Sequence, residues 1–138
     1  ERFPLLLTTG RILSQYNVGT QTRRTGNVAW YSEDVLDLNR QDAEARGIQD
    51  GDLVAITSRY GETRLHARIS EKVNPGIVYT TFHFAQSKAN AITSDLSDWA
   101  TNCPEYKVTA VEVTRVAQPS PAMASQPEPA ATALEAQP

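Results

Sequence analysis

The chain carries a single cysteine, Cys103. One thiol cannot close an internal disulfide, and it cannot supply the thiolate set of a structural zinc or an iron–sulfur cluster. A reducing compartment is compatible with that. Histidine is nearly as scarce, with His66 and His83 the only two. No serine stands in a Gly-x-Ser-x-Gly elbow, which argues against a hydrolytic triad. Neither common phosphate loop is present, because Gly10, Gly19 and Gly26 are spaced too widely for Gly-x-x-x-x-Gly-Lys-Ser or Gly-x-Gly-x-x-Gly. No apolar run approaches the length of a membrane span. Positive charge is not in excess either. With 13 Lys and Arg against 16 Asp and Glu, the formal net charge is -3. That balance argues against a nucleic-acid coat or an anionic membrane surface as partner.

What is present falls into two parts. From Ala117 to Pro138 the chain is mostly Ala, Pro, Gln and Ser, with Pro119, Pro121, Pro127, Pro129 and Pro138. Prolines at that density remove backbone donors and interrupt helices. The segment also offers little apolar area to offset its ordering entropy, so residues 117–138 are expected to form a disordered tail. Residues 1–116 have the composition of one ordinary domain. The chain opens at Glu1-Arg2-Phe3-Pro4 with no initiator methionine and no signal-peptide pattern. It reads as a domain cut from a larger polypeptide or a processed one.

The pattern over 1–116 predicts a mainly β domain. Strands are expected at Phe3 to Thr9, Val35 to Leu38, Leu53 to Ser58, Thr63 to Ile69, Ile77 to Thr80 and Val108 to Val116. Asn39 can cap a short helix over Gln41 to Arg46, closed by Gly47 in the left-handed position. Asp42 complements the positive helix start. Gly61 reads as the positive-φ residue of a hairpin. Strand and helix do not alternate, so a doubly wound parallel sheet is not expected. Short strands around one helix suggest a closed or partly closed barrel.

Four polar clusters could serve a ligand. The first runs from Thr9-Gly10-Arg11 through Tyr16-Asn17-Val18-Gly19-Thr20-Gln21-Thr22-Arg23-Arg24. Its threonines offer hydroxyls, and its arginines offer planar donor forks that match phosphate oxygens. The bland reading is a surface loop rich in threonine and arginine. In the second, His83 stands between Phe82 and Phe84, and a structural role and a ligand contact are both open. The third is Asn90-Ala91-Ile92-Thr93, where Asn90 offers a carbonyl and an amide suited to a heterocycle edge, or simply a capped turn. The fourth is Pro104-Glu105-Tyr106-Lys107, where Lys107 alone would pass for a solvated charge. His66, on the polar face of a strand among Arg64 and Arg68, reads as solvated. Cys103, in a polar loop, reads as incidental.

In chain order these clusters resemble the C-terminal dinucleotide-binding domain of the molybdopterin oxidoreductases. Asp42-Ala43-Glu44-Ala45-Arg46-Gly47-Ile48-Gln49-Asp50-Gly51-Asp52-Leu53-Val54 and Ser58-Arg59-Tyr60-Gly61 fall between them as that family has it. The resemblance spans about 3–116. Phe82-His83-Phe84 and Pro104-Glu105-Tyr106-Lys107 are most similar to the large subunit of cytoplasmic, NAD-dependent formate dehydrogenases.

The resemblance implies a double-psi β-barrel with one or two short helices. It implies a bis-molybdopterin guanine dinucleotide ligand chelating molybdenum or tungsten. Thr9, Gly10 and Arg11 would begin the loop around one dinucleotide. Gln15, Tyr16 and Asn17 would continue it, and Gly19, Thr20, Thr22 and Arg23 would finish it. His83, Asn90, Tyr106 and Lys107 would approach the pterin and its phosphate. Many members carry histidine or tryptophan where Gln15, Tyr16 and Asn17 stand, which is a departure. Iron–sulfur clusters, FMN and NAD would belong elsewhere in the parent enzyme. The implied partners are upstream domains of the same large subunit and iron–sulfur and flavin subunits. The implied location is cytoplasmic, and the isolated piece would not turn over. The alternatives are a nitrate-reductase-type enzyme, a free-standing small subunit, or a double-psi barrel acting as an interaction module. That last reading would leave the polar groups scattered over separate faces.

Overall fold

The computed structural model describes residues 2–117, so the expected tail, Ala117 apart, lies outside the described residues. Six strands close into a barrel: β1 (Leu5–Gly10), β2 (Val35–Leu38), β3 (Leu53–Thr57), β4 (Glu62–Ile69), β5 (Ile77–Thr81) and β6 (Thr109–Arg115). Around the barrel the order is β1-β5-β2-β4-β3-β6. β1 pairs parallel to β5, and β2 parallel to β4; the remaining neighbours are antiparallel. This is the double-psi β-barrel.

That order dictates where the long connections go. β5 lies between β1 and β2, so the chain leaving β1 must cross the end of β5 to enter β2. β1 lies between β5 and β6, so the chain leaving β5 must cross the end of β1. β1 and β5 run parallel, with Gly10 opposite Thr81. Connections 11–34 and 82–108 therefore meet at the same rim of the barrel.

The interior follows from period-two alternation. Leu5 and Leu7 of β1, Leu36 and Leu38 of β2, Val54 and Ile56 of β3, Leu65 and Ala67 of β4, Val78 of β5, and Val111 and Val113 of β6 face inward. Ile92, from connection 82–108, is fully buried with them. Each large apolar side chain buried this way contributes about 1.5–3 kcal/mol relative to exposure. Outside, Arg68 Nε and Nη2 form a fork on the Asp37 carboxylate at 2.6 and 2.9 Å, tying β4 to β2. That hydrogen bond holds the guanidinium pKa above its ordinary value.

The short helix α1 (Arg40–Ala45) has the expected cap, with Asn39 Oδ1 accepting from Gln41 N–H at 3.0 Å. Gly47 follows at φ +63, and Ile48 N–H returns to the Ala43 carbonyl. Asp42 does more than complement the helix start, since its carboxylate accepts from Gly76 N–H at 2.6 Å. Gly61 departs from expectation. It is absent from the positive-φ residues; instead, an added Cβ would lie 2.5 Å from the Ala91 carbonyl oxygen. Close approach of connection 82–108, not turn geometry, requires glycine there. His66 is half-exposed rather than simply solvated, with Nδ1 2.9 Å from the Glu33 carboxylate.

Candidate functional site

The shared rim gathers the four polar clusters. β1 ends on Gly10, where an added Cβ would meet the Tyr79 ring at 2.6–3.1 Å. That space lets the Tyr79 hydroxyl donate to the Arg11 carbonyl at 3.2 Å. Burial first, then the charge of Asp37, raises the phenol pKa, so the hydroxyl stays a donor. Arg11 Nη2 donates to Asn17 Oδ1 at 3.2 Å, and its guanidinium lies 5.6 Å from the Phe82 ring centre.

Beyond Arg11 the connection folds tightly on itself. Asn17 and Gly19 take positive φ, +47 and +68. Arg23 Nε donates to the Gly19 carbonyl at 3.2 Å, and its guanidinium stands 5.8 Å from the Phe84 ring centre. The Thr22 hydroxyl donates to Gln15 Oε1 at 2.6 Å and accepts from Tyr16 N–H. Gln15 Nε2 and Ser14 Oγ are buried without a partner among the described residues. A buried donor left unpaired is costly, so such atoms point to a missing acceptor.

From the other connection, Phe82 meets Tyr106 edge-on, ring centres 6.4 Å apart. The Thr9 hydroxyl donates to the Tyr106 carbonyl at 2.8 Å, and Lys107 Nζ donates to the Thr9 carbonyl at 3.1 Å. Val18, Arg23, Phe82, Phe84, Lys88 and Asn90 line a cleft of about 250 Å³. Tyr16, Asn17, Thr20 and Gln21 line a second recess, which shares Val18 with the first. Arg23 and Asn90 thus share a cleft. Arg11 and Tyr106 stand against Phe82, and Lys107 lies 5.4 Å over the Tyr106 ring, while Tyr16 and Thr20 open onto the neighbouring recess.

His83 is fully buried. Its Nε2 accepts from Ile12 N–H at 3.1 Å, and Nδ1 lies 2.5 Å from the Asn17 carbonyl. Thr9, Thr22 and His83 accordingly spend their hydrogen-bonding groups within the chain. Arg23 and Asn90 face the cleft, Arg11 stands beside the Phe82 ring that lines it, and Lys107 lies over Tyr106 with Nζ on the Thr9 carbonyl.

The strand arginines are paired and the rim cations are not, although Arg40 and Lys72, away from the rim, also make no ion pair among the described residues. Arg64, Arg68 and Arg115 on the strands each pair with a carboxylate. Arg11, Arg23, Lys88 and Lys107 make no ion pair among the described residues. Uncompensated cations around two aromatic rings suit an anionic ligand that also carries a flat heterocycle. The sequence did not single out Lys88, a cleft residue held at φ +44 between two short 3-10 turns, nor Asp34 and Tyr79, which brace the rim. The one available signal was the paired aromatics Phe82 and Phe84.

Comparison with known proteins supplies the family and the fold. Residues 5–110 match the family model described as "Molydopterin dinucleotide binding domain". The F420-dependent formate dehydrogenase subunit alpha of Methanocaldococcus jannaschii is 41% identical over 115 residues, covering 83% of this chain and 17% of the relative. A nitrate reductase of Symbiobacterium thermophilum is 36% identical over 116 residues, covering 80% of this chain and 15% of the relative. The chain thus spans about a sixth of the length of the curated relatives it matches. Among solved structures, acetylene hydratase from Pelobacter acetylenicus superimposes with a TM-score of 0.73 at 14% identity, covering 83% of this chain and 18% of that one, a likeness of fold. With the family model matched across the barrel and its rim, the chain belongs to the molybdopterin dinucleotide-binding domain family.

Proposed function

We propose that this domain binds and orients molybdopterin guanine dinucleotide within a molybdenum- or tungsten-dependent formate dehydrogenase. The observation that supports the reading is a cleft lined by Arg23 and Asn90 from two distant connections, with Arg11 5.6 Å from the Phe82 ring that also lines it. An interaction module has no need of that convergence.

The residues fit the group. Arg11, Arg23 and Lys107 would neutralise the diphosphate, guanidinium forks matching its oxygens. Asn90 would read an amide-like heterocycle edge, and Phe82 and Phe84 would supply apolar walls beside it. Gln15 Nε2 is a buried donor with an acceptor still to meet. When bound, the paired pterins carry the metal at which substrate loses two electrons. This chain contributes positioning and charge neutralisation to that chemistry. It turns nothing over alone.

Formate is favoured as substrate by the alpha-subunit relatives, and nitrate stands second because of the nitrate reductase relative. The wider parent would be a cytoplasmic assembly. Electrons would pass through iron–sulfur and flavin subunits to NAD. The formate dehydrogenase relatives are named F420-dependent, so F420 stands beside NAD as a second acceptor reading.

The test compares the parent enzyme with its Arg23→Ala and Asn90→Ala variants. Metal and guanine nucleotide are measured per polypeptide. Loss of a charged hydrogen bond is expected to cut retention about tenfold or more for Arg23→Ala. Full cofactor content in both variants, or formate oxidation by the isolated 138-residue chain, would overturn the proposal.

A further inference from the structure

His83 sits beneath the rim with no surface of its own. Ile12 N–H points at Nε2 from 3.1 Å, so Nε2 carries no proton. The proton therefore sits on Nδ1 and is donated to the Asn17 carbonyl at 2.5 Å. One ring thus joins two points of connection 11–34 that lie 71 and 66 residues away in sequence. The second point, Asn17, is held at φ +47.

The ring is itself braced. Asp34, at the far end of the same connection, is 2% exposed. Its carboxylate accepts from the Thr81 hydroxyl, from His83 N–H at 3.2 Å and from Phe84 N–H at 3.0 Å. One end of the connection therefore fixes the backbone that carries the imidazole, and the imidazole fixes the other end. Both ring nitrogens are consumed, so neither is free to hydrogen-bond a ligand.

We propose that His83 is a positioning residue. Held by Asp34, its neutral Nδ1–H imidazole pins Ile12 and Asn17 so that Arg11, Asn17 and Gly19 stand ready at the rim. The proposal rests on reading connection 11–34 as a wall of the dinucleotide site.

Hydrogen exchange in the parent enzyme tests it, with amide-level resolution over 11–18 and the β3–β4 hairpin as internal standard. His83→Phe keeps the ring's bulk and loses both hydrogen bonds. His83→Gln keeps an acceptor within reach of Ile12. Ile12 exchange is expected to rise about tenfold or more in the Phe variant, which leaves a buried N–H unpaired, and to fall back toward the parent value in the Gln variant. A role in packing alone predicts the reverse order, with Phe the milder change. Unchanged protection in His83→Phe, or greater exposure of Ile12 in the Gln than in the Phe variant, overturns the pin.

If His83→Phe does not accumulate, His83→Gln carries the test alone. Faster exchange confined to residues near Asn17, with Ile12 still protected, supports the pin; exchange of Ile12 at an unprotected rate overturns it. Cofactor content is measured in parallel. A loosened connection with full cofactor content leaves the pin standing and refutes the reading of 11–34 as a dinucleotide wall.

Discussion

Gly19 offers a sharp perturbation, because two separate costs meet at one atom. Its φ of +68 lies in the left-handed region, where an L-residue costs about 1–2 kcal/mol. An alanine Cβ there would also lie 2.7 Å from the His83 carbonyl oxygen and 2.8 Å from Arg23 Cγ. The arginine can swing away. The carbonyl cannot, since the His83 N–H is tied to Asp34 and its ring to Ile12 and Asn17. Forcing one extra methyl into such a site adds about 1–3 kcal/mol. Together the two costs reach about 2–5 kcal/mol, roughly thirtyfold or more in the population of the closed connection.

Gly26→Ala is the control, with no positive φ and no atom within 4 Å of an added Cβ. Its effect should stay within about 0.5 kcal/mol. The assay is hydrogen exchange over 11–25 in the parent enzyme, with cofactor content measured on the same sample. Gly19→Ala should expose that segment and shed cofactor while Gly26→Ala does neither. Equal protection and equal cofactor in the two variants would refute the close fit of connection 11–34 against His83.

Leu36→Ala, at a fully buried position of β2, should cost about 2–5 kcal/mol, read as a lower urea midpoint at unchanged slope. Asp98 gives a pH test. Its carboxylate accepts from the Thr101 hydroxyl and from the N–H groups of Thr101, Cys103 and Ala100, which lower its pKa from 3.8 to about 2. A depressed carboxylate stabilises its loop above pH 4 and loses that contribution as pH falls through about 2. Trp99, exposed in that loop, should therefore report unchanged fluorescence down to pH 4 and a transition near pH 2. Asp98→Asn should abolish the transition.

The strands were legible wherever one face is apolar and the other polar. β4 shows this best: Leu65 and Ala67 turn inward, and Arg64, His66 and Arg68 outward. The Asn39 cap and Gly47 marked the helix because capping is local chemistry. Strand ends were less legible. β1 starts at Leu5 rather than Phe3, where pairing with Val111 of β6 begins, past Pro4 with its missing donor. Barrel order was not in the pattern at all. Alternation says which way a side chain faces but not that β1 lies beside β5 or β2 beside β4.

The site divides along a physical line that composition does not draw. The resemblance named Thr9, Thr22, His83, Arg23, Asn90 and Lys107 alike, since each is a polar side chain in a matching cluster. What separates them is whether their hydrogen-bonding capacity is already spent. The Thr9 hydroxyl is spent on Tyr106, 97 residues away, and both His83 nitrogens are spent on connection 11–34. The same long-range pairing makes Asp34 and Asp37 buried residues, although each would read as a surface carboxylate; their partners lie on other strands and connections. Arg23 and Asn90 keep capacity facing a cleft. Positioning residues and ligand-reading residues thus share one vocabulary in the sequence, and the partners that distinguish them arrive only when β1 and β5 close side by side. A substitution at a spent group should therefore loosen the rim before it weakens binding. A substitution at an open group should weaken binding and leave the rim closed.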